Sequence, residues 1–110
     1  MKVVYVAGPY RAATIAGIRA NVEAARKVAE KFWLLGYAVI CPHLNSGFMD
    51  GIVADEDFLE GDVEILKRCD QIVMVPGWEN SLGAVNELNV ARECGLIVCH
   101  VKPDGLHYEA

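Results

Sequence analysis

Apolar positions in this chain follow two rhythms in turn: short continuous runs rich in β-branched residues, and longer stretches that repeat at three and four. The first run, Val3–Ala7, is closed by Gly8-Pro9, as for a strand buried on both faces of a parallel sheet. Behind it Ile15, Ile18, Val22, Ala25, Val28, Ala29, Phe32 and Leu35 recur at helical spacing, with Arg19, Glu23, Arg26, Lys27 and Glu30 on the opposite side. Gly36 supplies the stop. Residues 37–41 read as a second strand ended by Pro42, residues 71–75 as a third ended by Pro76-Gly77, and residues 96–101 as a last one ended by Pro103. Helical patterns fill residues 55–69 and 81–95. This alternation predicts an α/β fold: one small doubly wound parallel sheet, flavodoxin-like or Rossmann-like, with right-handed crossovers and helices on both faces. Such sheets bind ligands in the crevice beyond the carboxyl ends of their strands, where Gly8-Pro9-Tyr10, Pro42-His43 and Pro76-Gly77-Trp78 collect. Residues 42–57 read as one long irregular stretch, either a lid or a surface excursion.

Two acids break the apolar stripes. In the helix over 55–69 the stripe is Phe58, Leu59, Ile65, Leu66 and Cys69, and Asp62 fills the gap at helical spacing. In the helix over 81–95, Glu87 is in register with Gly83, Ala91 and Cys94, on the side that small and apolar residues would press against a sheet. A buried carboxylate is costly unless it is paired, hydrogen-bonded or protonated, so each is a candidate for chemistry. The competing reading is a cap or bridge within the fold. Tyr5 is the third informant. Its hydroxyl lies in a strand otherwise made of Val and Ala and needs a partner if the ring is buried, for which a carboxylate is the natural candidate.

A chain of 110 residues with 54% hydrophobic content is one domain, residues 1–110, with a single core. A net charge of −5 and no cluster of Lys or Arg argue against a nucleic-acid polymer or an anionic membrane as partner, and favour a small ligand. Cys41, Cys69, Cys94 and Cys99 lie in or at the end of apolar segments without a C-x-x-C pair, so they read as small core residues in a reducing compartment. The apolar run after Lys2 is too short for a signal peptide or membrane span, making the cytoplasm the default location. His43, His100 and His107 show no ligand spacing, so neither a metal nor another cofactor is expected. If the ligand is an anion, its grip must be local. Ser81 is a plausible N-cap, Gly83 leaves the backbone of that first turn open, and Arg11 is the cation beside the Gly8 turn. Glu87 lies about 9 Å along the helix from Ser81, roughly the span of a nucleotide's sugar.

Together these residues resemble a known family. Val4-Tyr5-Val6-Ala7-Gly8-Pro9-Tyr10, a helix carrying Asn21 and Ala25, Cys41-Pro42-His43, Gly61-Asp62 before Cys69-Asp70, and Pro76-Gly77-Trp78 followed by residues 81–88 are similar to the nucleoside 2-deoxyribosyltransferase superfamily. The similarity spans nearly the whole chain. It is greatest to the short, mostly uncharacterised branch, and next to the 2'-deoxynucleoside 5'-phosphate N-hydrolases. The resemblance implies that Glu87 attacks the anomeric carbon of the sugar, that Asp62 assists the leaving base, and that Tyr5 holds Glu87. It further implies that Gly8, Arg11 and Ser81 hold a 5'-phosphate. Pro9 stands where the hydrolases place a Ser, and offers neither hydroxyl nor amide. The superfamily tends to form dimers in which a neighbour completes the site, so a homodimer or higher homo-oligomer is expected, with His107 and Tyr108 candidates for the interface.

The expected function is therefore cleavage or transfer at the N-glycosidic bond of a (deoxy)nucleoside or its 5'-monophosphate, with Glu87 ionised and Asp62 protonated. Pro9, Tyr10, His43 and Trp78 are further candidates for the site. The alternative is a nucleotide-binding module without turnover. A flavodoxin-like carrier is a third reading, although the loop after the first strand lacks a Ser/Thr-rich phosphate cradle.

Overall fold

The computed structural model describes residues 1–102 and 105–109. Four parallel strands stand in the order β2 (Ala38–Ile40), β1 (Val3–Ala7), β3 (Gln71–Met74), β4 (Ile97–Lys102), and an antiparallel strand, β5 (Gly105–Tyr108), completes the edge beside β4. The sheet is thus mixed where an all-parallel one was expected. β5 can only return alongside β4 because the connection is too short for the crossover that a parallel strand requires. Pro103, expected to end the last strand, lies outside the described residues.

Helix α1 (Ile15–Leu34) covers one face, burying Ala25, Val28, Ala29 and Phe32 against Val4, Val6 and Val73. Helices α3 (Asp55–Lys67) and α4 (Leu82–Glu93) cover the other, where Leu66, Ala84, Leu88 and Ala91 meet Tyr5, Ala7, Ile72 and Met74. The alternating side chains of β1 therefore serve two cores, Val4 and Val6 on one side and Tyr5 and Ala7 on the other. Thr14 caps α1 by accepting from the Gly17 amide at 3.0 Å, and Ser81 caps α4 by accepting from the Ala84 amide at 3.2 Å.

Several expected details differ. Residues 42–57 are not wholly irregular: Pro42 opens a short helix, α2 (Pro42–Asn45), with proline at a first-turn position where its missing amide costs nothing. Ile15 and Leu35, placed on the buried stripe, are exposed because they sit at the two ends of α1 beyond the sheet. Leu59 is 53% exposed because it faces a cleft instead of the sheet. Cys94 is exposed at the end of α4, whereas Cys41, Cys69 and Cys99 are core residues. No helix among the described residues is long and apolar enough to cross a membrane.

Candidate active site

β1 is followed by β2 on one side and flanked by β3 on the other, so the chain leaves the carboxyl ends of β1 and β3 in opposite directions. A cleft of about 410 Å³ opens there, its floor and walls including Val6, Gly8, Pro42, Phe58, Ser81 and Ala84, at the switch point where such sheets place ligands. Gly8 makes this geometry possible: a Cβ built on it would lie 2.6 Å from the Val75 Cβ, so β1 and β3 could not run so closely out of the sheet with a larger residue.

Both Asp62, from α3, and Glu87, from α4, line this cleft. Tyr5 lies beneath it, fully buried in β1, with its phenol O–H donating to Glu87 Oε2. The three groups come from a central strand and the two helices packed on one of its faces, so their mutual placement is fixed by core packing. Burial pushes the Glu87 carboxyl up to about 7, offset in part by the Tyr5 hydrogen bond and reinforced by the Asp62 charge. Burial likewise raises Asp62 to about 6, and that carboxyl has no hydrogen bond or ion pair among the described residues to hold its charge. Tyr5 is driven far above its ordinary range, first by burial and then by the neighbouring Glu87 and Asp62 charges, and remains a neutral donor. Near neutral pH the two carboxyls therefore share about one proton. Positive charge developing beside Glu87 would favour its ionised form and send the proton to Asp62, because the Tyr5 donor binds a carboxylate more strongly than a neutral carboxyl.

The remaining expected residues divide. Gly8, Pro9, Tyr10, Arg11, His43, Ser81 and Gly83 all line the cleft. Trp78 does not: it packs on the apolar cluster beneath α4 and against the His100 ring, centroids 5.6 Å apart, because the Trp78–Asn80 turn carries it toward β4. His43 is buried, and burial keeps it neutral below its ordinary range. Its Nε2–H donates to the Pro9 carbonyl at 2.8 Å, which makes it a brace of the turn after β1. Asn21 adds a second brace through its amide to the Tyr10 carbonyl at 3.0 Å. Among the described residues no three His, Cys, Asp or Glu side chains are arranged to hold a metal ion.

Sequence reasoning passed over Asp50 and Asp55, which line the same cleft. Arg11 pairs with both, its Nη2 2.7 Å from Asp55 Oδ1 and its Nη1 3.9 Å from Asp50 Oδ2. The Tyr10 hydroxyl donates to Asp50 at 3.0 Å and accepts from the Phe48 amide at 2.8 Å. One signal was available: Asp50 precedes Gly51 in a stretch bounded by apolar residues, and Asp55 opens a helix whose first turn holds three acids.

The structure is similar to that of a 2-desoxiribosyltransferase from Leishmania mexicana, with a TM-score of 0.63, 18% sequence identity, and coverage of 100% of this chain and 79% of that one. The two share a fold. No curated protein matches the sequence. Residues 2–100, which hold β1 to β3, most of β4 and every helix around the cleft, match the model of a family described as a domain of unknown function, DUF4406, and the chain is a member of that family.

Proposed function

We propose that the protein cleaves or transfers the N-glycosidic bond of a (deoxy)nucleoside or its 5'-monophosphate, with Glu87 as nucleophile, Asp62 as acid and base, and Tyr5 positioning Glu87. The observation that carries this reading is the convergence of two carboxyls with raised proton affinity in one cleft, one of them held by a buried phenol. Perturbed acids paired in a cleft are what glycosidic chemistry needs, since one must be charged and the other protonated at the same pH.

In the first step a Glu87 carboxylate oxygen bonds to the anomeric carbon as the bond from that carbon to the base nitrogen breaks. The electron pair of that bond stays on the base, which takes the Asp62 proton and leaves neutral. In the second step water, or the nitrogen of another base, attacks the anomeric carbon and gives its proton to Asp62. The sugar–Glu87 ester bond breaks and the carboxylate is restored. The shared fold with a deoxyribosyltransferase supports the substrate class, and the pattern of residues 81–88 supports the relation to the short branch and the N-hydrolases.

Incubation with deoxynucleosides and their 5'-monophosphates, followed by chromatography of the free base, tests this. Base release that disappears in Glu87→Ala and Asp62→Asn while the circular dichroism spectrum is kept is the expected result. Wild-type turnover in either variant refutes the assignment. A binding module without catalysis is the second reading. It is favoured by Pro9, which puts a residue without amide or hydroxyl at the turn after β1, and it predicts ligand binding with no free base.

A further inference from the structure

Asp50 and Asp55 take no part in the reaction just described, yet they decide the charge of the cleft. Among the residues that line it, Arg11 is the one cation, against the four carboxyls of Asp50, Asp55, Asp62 and Glu87; His43 is held neutral by its burial. Arg11 is also occupied, by Asp55 at 2.7 Å and Asp50 at 3.9 Å. The cluster is anchored on both sides. Asp50 is fixed through Tyr10, Asp55 by its place in the first turn of α3, and the backbone carrying Arg11 by the Asn21 amide. The other groups expected to hold an anion are weakened: Pro9 has no N–H, and the Ser81 amide already donates to the Trp78 carbonyl at 3.0 Å.

A phosphate monoester carries between one and a half and two negative charges near neutral pH. Entering this cleft it meets a cation already neutralised and at least one surplus carboxylate. A sugar hydroxyl meets acceptors, because ionised carboxylates are strong partners for O–H donors. We propose that the Asp50–Arg11–Asp55 cluster makes the cleft selective for unphosphorylated nucleosides and excludes their 5'-monophosphates. This rests on the nucleoside-cleaving reading of the same site. The cluster is a specificity determinant by charge: it adds acceptors for a hydroxyl and removes the free cation that a phosphate would require.

Matched pairs of deoxynucleoside and 5'-monophosphate, one pair per base, would be compared by titration calorimetry and by base release. The nucleoside is expected to bind at least about tenfold more tightly than its monophosphate. The double variant Asp50→Asn/Asp55→Asn, which frees Arg11 and keeps side-chain volume, should move that ratio toward the monophosphate by about tenfold or more. Arg11→Gln should move it the other way. Because the Arg11, Asp50 and Asp55 side chains are largely exposed, the wild-type preference should narrow in 0.5 M salt. The single variant Asp55→Asn, with the same expected sign, serves if the double variant does not fold. Equal or tighter binding of monophosphates by the wild type, or a ratio unmoved in the Asn variants, overturns the selectivity and leaves the cleavage reading standing. Selective nucleoside binding without base release supports the selectivity and defeats the cleavage reading. Failure to bind or cleave any of the compounds defeats both.

Discussion

Replacing Glu87 by Gln should stabilise the protein at alkaline pH and remove base release. Burial raises the Glu87 carboxyl from its ordinary 4.5 to about 7, which at about 1.4 kcal/mol per tenfold corresponds to roughly 3 kcal/mol. The sign follows from proton linkage. Between pH 4.5 and 7 the folded protein holds a proton that the unfolded chain has lost, so this group favours folding at low pH. That contribution is lost as pH rises through about 7. Above pH 8 the wild type folds with a buried charge that Gln does not carry. The Tyr5 hydroxyl can still donate to the Gln oxygen, so the core polar contact survives. At pH 8 Glu87→Gln should therefore unfold later than wild type, by up to roughly 10 °C at about 4 °C per kcal/mol for a chain of this size, and the two should converge below pH 4.5. Asp62 contributes in the same direction, more weakly because it is more solvated, and leaves a shallow pH slope in the variant. Thermal melts followed by circular dichroism at half-unit pH steps provide the measurement. A wild-type melting temperature that does not fall between pH 5 and 8, or a Gln variant no more stable than wild type at pH 8, refutes the claim that a costly carboxyl is held in the cleft.

Other expectations follow from the same geometry. Tyr5→Phe keeps the ring in the core but removes the donor to Glu87, so kcat/KM should fall about 10–100-fold and the acid limb of its pH profile should move upward; an unshifted limb would show that Tyr5 does not act on Glu87. Tyr10→Phe releases both the Asp50 carboxylate and the Phe48 amide, and should raise KM several-fold with kcat little changed, as steady-state kinetics would show. Gly8→Ala places a methyl 2.6 Å from Val75 Cβ and should cost about 1–3 kcal/mol by denaturant titration; a neutral result would mean that β1 and β3 can part at the cleft.

Much of this architecture was legible because local and global signals agree. β1 is a continuous apolar run and β3 becomes one after Gln71, as strands covered on both faces must be, and α1 carries its small and aromatic residues at helical spacing over the sheet. Asp62 and Glu87 stood out because they violate a pattern that is otherwise kept, and the fold brings both to one cleft. β5 was not legible: Gly-Leu-His-Tyr is four residues, too short for a period to be read, and its strand character comes from hydrogen bonding to the edge of β4. Leu59 was misplaced because an apolar residue lining a cleft has the same spacing signature as one facing a sheet. Trp78 was misplaced because the turn of Trp78–Asn80, which sets where the ring points, carries no periodicity. Asp50 and Asp55 were passed over for a related reason. Acids in a polar stretch look solvated, and only the tertiary approach of Arg11 and Tyr10 makes them part of a site.

The central claim is that Glu87 bonds to the sugar. It is tested most directly by incubating the protein with a 2'-fluoro-2'-deoxynucleoside, whose electron-poor sugar slows breakdown of the glycosyl ester, and then digesting it for mass spectrometry. The account predicts one fluorosugar on the peptide containing Glu87, absent in Glu87→Ala and discharged on adding a free base or on prolonged hydrolysis. Base release from natural nucleosides with no such adduct, or an adduct on any other residue, would contradict it.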